Sequence, residues 1–63
     1  MPNMIQRLIL RSMTVGRAMS RREIENGVRR HTQAPTVIHG FYNHMEAMPD
    51  RVRHTGNKWK RLR

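Results

Sequence analysis

A chain of 63 residues without cysteine excludes more than one small domain, a disulfide framework and a thiolate zinc centre. Thirteen Lys and Arg against four Asp and Glu leave a net charge of +9, which points to a polyanionic partner: RNA, DNA, an acidic protein surface or anionic lipid. No stretch approaches the roughly 20 apolar residues that span a bilayer, and no secretory h-region is present.

Residues 1–19 predict a basic amphipathic segment. As a helix it sets Met4, Ile5, Leu8, Ile9 and Met13 on one broad face and Arg7 and Arg11 on the other. The run is acid-free and also carries Arg17, a pattern that matches a mitochondrial presequence as well as an ordinary basic helix docked on a partner. A mitochondrial location is therefore expected, with the helix retained in the mature protein; the alternative is a cytoplasmic one. Gly16 interrupts the pattern.

Residues 20–55 predict a short helical body. Ser20 followed by Glu23 is a capping box, which starts a helix at Arg21 and carries it to His31. Ile24 and Val28 share its apolar face, and Glu25 and Arg29 are spaced for an i,i+4 pair. Arg21, Arg22, Arg29 and Arg30 supply its charge, and Gly27 costs it about 1 kcal/mol. The run TQAP breaks the chain, and Pro35 suits the first turn of a new helix. Val37, Ile38, Phe41, Tyr42, Met45 and Met48 then recur with helical period, so a helix from Pro35 to about Met48 is expected in spite of the β propensity of Thr36, Val37, Ile38, Phe41 and Tyr42 and the weakening by Gly40. Pro49 ends it, and Asp50 is placed to cap one more turn through DRVRH, with Arg51 and Arg53.

Residues 56–63 predict a basic arm beyond a turn at Gly56 and Asn57. Its Trp59 lies among Lys58, Lys60, Arg61 and Arg63, an interleaving of cations with an aromatic ring that holds looped or single-stranded RNA by stacking. Trp59 and Leu62 are spaced to share one helical turn against a core, but nothing nearby continues an apolar face, so stacking is the expected role.

Neither catalysis nor metal binding is expected. His31, His39, His44 and His54 never fall three or four apart, and there is no activated nucleophile, carboxylate pair or Gly-rich phosphate loop. The sequence thus predicts a mainly α fold: two or three short helices with extended basic N- and C-terminal segments and little independent core. The expected function is that of a small basic RNA-binding structural component of a large ribonucleoprotein, such as a mitochondrial ribosome. Its partners would be RNA, rRNA above all, and neighbouring proteins, with no cofactor and no membrane span. Two alternatives stand beside it. One is a helix-turn-helix DNA-binding regulator, in which Thr36 and Val37 open a recognition helix and Asn43 and the histidines read bases. The other is a peripheral accessory subunit of a mitochondrial respiratory complex.

Overall fold

Two helices begin at reciprocal caps. The first, α1 (Met4–Ser12), follows Asn3, whose Oδ1 accepts from the Gln6 amide at 2.8 Å while Gln6 Oε1 accepts from the Asn3 amide at 3.1 Å. The second, α2 (Arg21–His31), follows Ser20 in the same manner: the Glu23 amide donates to the Ser20 hydroxyl and the Ser20 amide to the Glu23 carboxylate. Each box satisfies amides that the first helical turn leaves unpaired. Between the helices lies a two-residue strand, β1 (Ala18–Met19). The structure, a computed structural model, describes residues 1–32 and 38–63. The expected helix start at Pro35 and the expected contribution of Thr36 and Val37 lie outside the described residues.

Gly27 sets how closely α1 and α2 approach. A Cβ placed there would stand 2.5 Å from the Ser12 Cβ. The residue that weakens α2 as an isolated helix is therefore the one that lets α1 lie against it. The buried stripe of α1 is Ile9 and Leu10, continued by Met13 beyond the helix, with Leu8 half-buried; Met4 and Ile5, expected to be buried, are exposed. The packing face is thus rotated away from the widest apolar face of the sequence.

The third helix, α3 (Phe41–Glu46), ends two residues before the expected Met48 and starts later than expected. Gly40 precedes it at φ 68°, a left-handed conformation that keeps the chain before it out of the helix. An ion-paired clamp fixes that entry. Glu25 accepts from the Ile38 amide at 2.9 Å and from Arg21 Nε at 3.2 Å, and Arg21 Nη2 donates to the Ile38 carbonyl. The pairing expected between Glu25 and Arg29 is replaced by this one, because Arg21 lies on the side of α2 that faces the incoming chain.

The mainly α expectation is overturned. The described residues hold three helices and a three-stranded antiparallel sheet. The segment read as a helical turn, DRVRH, runs into β2 (Val52–Thr55), and the segment read as an arm is β3 (Lys58–Arg61), the central strand of the order β1-β3-β2. Gly56 at φ 62° and Asn57, whose φ is negative, make the two-residue turn between Thr55 and Lys58, with the pattern of a type II′ hairpin. Alternation along β2 and β3 puts Val52, His54, Trp59 and Arg61 on the face toward the helices and Arg53, Thr55, Lys58 and Lys60 on the other.

The expectation of little independent core fails as well. Side chains from every element meet: Ile9, Leu10, Met13, Met19, Ile24, Val28, Ile38, Phe41, Met45, Met48, Val52 and Trp59 are all buried. Phe41, Ile9, Ile24 and Met45 are the most completely enclosed. The radius of gyration is 10.4 Å, where a folded domain of this length has about 10.6 Å.

Candidate nucleic-acid interface

The residues proposed from sequence to touch RNA divide into three groups. Trp59 is the clearest departure. Only 4% exposed, it packs edge-on to Phe41 at 5.7 Å between ring centres and is covered by His54, stacked at 3.9 Å and 9°. Its face is occupied by the protein itself, so it is not free to stack on a base. Leu62, its imagined companion, is on the surface.

A second group of cations is engaged in holding the fold. The Arg21 guanidinium stands 4.9 Å from the Phe41 ring centre and 5.8 Å from that of Tyr42, besides its bonds to Glu25 and Ile38. Arg61 Nη1 donates to the Leu10 and Met13 carbonyls at 2.9 and 3.4 Å, capping the C-terminal end of α1 from the sheet. Arg51 Nε donates to the main-chain oxygen of Arg63, Arg63 pairs with Asp50 at 3.2 Å, and Arg17 pairs with Glu23 at 3.2 Å.

The third group is exposed and, among the described residues, has no carboxylate in ion-pair range: Arg7 and Arg11 on α1, Arg22, Arg29 and Arg30 on α2, and Arg53 and Lys58 on the hairpin. Lys60 is half-buried opposite Arg53.

Three elements converge on the outer side of α3. Its exposed residues are Tyr42, Asn43 and Glu46, with His39 just before it. The Tyr42 ring lies 6.4 Å from that of His54 on β2 and beneath the Arg21 guanidinium at the start of α2. The α2 start and the hairpin also meet electrically. The bond from the Ser20 amide, aided by the Ser20 hydroxyl and the charges of Arg17 and Lys58, holds the Glu23 carboxyl below its ordinary value of 4.5 against the opposing effect of desolvation. Tyr42 of this short helix thus lies between Arg21 at the start of α2 and His54 on β2, while Arg53 and Lys58 stand on the opposite face of the sheet. Sequence reasoning left Glu46 out of the site and admitted Asn43 only under one alternative. The signal was the polar spacing of Asn43 and Glu46 opposite buried Phe41 and Met45.

Among the described residues no three His, Asp or Glu side chains are grouped so as to hold a metal ion, and no helix is long and apolar enough to cross a membrane. No family model, curated protein or solved structure matches this chain.

Proposed function

We propose that this chain binds duplex DNA as a helix-turn-helix unit with a flanking β-hairpin. In this reading α3 enters the major groove while Arg22 at the start of α2 and Arg53 and Lys58 on the hairpin lie along the phosphates. The supporting observation is the position of α3, whose Tyr42 lies against Arg21 at the start of α2 and His54 on the hairpin while Asn43 and Glu46 are exposed. Asn43 suits the N6 and N7 edge of adenine, and Glu46 suits the cytosine amino group. The sparse charge of α3 is consistent with this division, since cations position a protein on DNA and base-edge contacts select the sequence. The order of helix, strand, helix pair and hairpin, with the first strand paired to the last, is that of a winged helix-turn-helix. The likeness is one of topology only. The connection over 32–40 is longer than the usual turn of three or four residues.

A second reading keeps one observation in its favour. Arg7 and Arg11 on α1 and Arg29 and Arg30 at the end of α2 spread exposed charge over further faces, as a protein embedded in RNA needs. Binding measured against a randomised duplex library and against single-stranded RNA of equal length separates the two. For DNA recognition, Asn43→Ala is expected to cost about 1–3 kcal/mol on the selected sequence. Lys58→Ala is expected to weaken all duplexes alike and lower the salt slope by about one. Tighter binding to the RNA, with Asn43→Ala silent, returns the function to an RNA-bound structural component.

A further inference from the structure

The foot of the hairpin, where Val52 pairs with Arg61, lies away from the Gly56–Asn57 turn. Beside it is a groove of about 520 Å³ whose walls include Arg7, Arg11, Arg51, Arg61 and Leu10, and none of whose lining residues is acidic. Two of the guanidiniums are held in place. Arg51 Nε and Arg61 Nε donate to the same main-chain oxygen of Arg63, at 2.8 and 3.1 Å, and Arg61 is further fixed by the α1 carbonyls. These bonds use Nε of Arg51 and only part of the Arg61 fork, so each side chain keeps N–H groups for another acceptor. Arg7 and Arg11 are four apart on α1, a destabilising spacing for like charges, and both are exposed. Four cations gathered on one concavity repel one another until an anion neutralises them.

We propose that this groove binds a small anion carrying a chain of phosphates, of the nucleoside di- or triphosphate class. Guanidinium forks take phosphate oxygens in pairs, and several at one site suit several linked phosphates better than one. The volume falls in the range of about 300–1,000 Å³ typical of small-molecule sites. Leu10, with Met1 and Pro2, offers an apolar wall for a base. The site is separate from α3 and the hairpin tip, and it is independent of whether those bind DNA.

The test is calorimetric titration of the full chain, at about 0.15 M salt so that distant charge is screened, with inorganic tripolyphosphate and ATP as probes. Saturable binding of one equivalent is expected. Arg7→Gln with Arg11→Gln should weaken it by at least about tenfold, the loss of two charge-assisted contacts. Arg7→Lys with Arg11→Lys, which keeps the charge and removes the forks, should fall between. Arg53→Gln with Lys58→Gln removes the same charge from the hairpin and should change binding by less than about twofold, since no contact is lost. Circular dichroism checks that each pair stays folded. Equal losses in the α1 and hairpin pairs would mean bulk attraction and overturn the site. So would the absence of saturable binding to either probe, or duplex DNA that displaces tripolyphosphate and loses affinity through the α1 pair alone.

Discussion

Trp59 carries the largest consequence of any single side chain. Its neighbours in sequence are cations, yet its neighbours in space are Phe41, Tyr42 and His54. Trp59→Ala is therefore expected to open a cavity and cost about 3–5 kcal/mol, the same range as is expected for Phe41→Ala. Urea unfolding of the two variants checks this. A Trp59→Ala protein as stable as the parent would place the indole back on an arm. Glu23 offers a second test through pH. Its carboxyl is depressed in the folded state, chiefly by the Ser20 amide. The ionised form thus stabilises the fold above the unfolded-state value, and that contribution is lost as pH falls through the folded one. Glu23→Gln should lower the urea midpoint near neutrality, and the gap to the parent should close as the pH falls below 4.5. A gap independent of pH would assign the effect to the cap's shape and not to its charge.

At the scale of elements, Gly27 decides between propensity and packing. In an exposed helix interior, Gly→Ala stabilises by about 1 kcal/mol. Here the added methyl meets the base of the Ser12 side chain, which has no freedom to swing away, so overpacking of about 1–3 kcal/mol opposes that gain. Gly27→Ala is expected to lower the melting temperature, and Gly27→Ala combined with Ser12→Gly to recover part of the loss. A stabilised single variant would mean that α1 and α2 sit farther apart. Local signals made α2 legible to the residue, because its capping box and the spacing of Ile24 and Val28 are local to the helix, although the ion pair read as Glu25–Arg29 forms between Arg21 and Glu25. The strands were not legible by the same means. Val52–Thr55 and Lys58–Arg61 each hold one buried side chain, and the cations around them read as an arm. The available clue was the Gly56–Asn57 pair, which suits a type II′ turn between two strands. The clamping roles of Arg21 and Arg61 were hidden for a related reason: the carbonyls and rings they hold are distant in sequence, and charge alone does not reveal a clamp.

At the scale of the whole molecule, the question is whether the chain stands without its partner. The count of apolar residues is modest, but the topology uses them well. The C-terminal strand inserts between β1 and β2, so Met19, Val52 and Trp59 join the helical core, and Arg61 ties the sheet to α1. The two ends of the chain are thereby locked to each other, which makes partial unfolding from either end costly. Among the described residues no buried side-chain polar atom is left without a partner, so the core carries no such penalty. The expected behaviour is one cooperative transition, with far-ultraviolet circular dichroism and Trp59 fluorescence giving the same midpoint in urea and a slope near the low end of about 1–3 kcal/mol/M, as suits a domain of this size. Arg61→Ala then tests the lock. Losing the α1 cap should shift both probes together, because helix and strand unfold as one unit. Fluorescence that changes well before the helical signal would mean that the last strand peels away independently, and that α1 and α2 alone form the stable body.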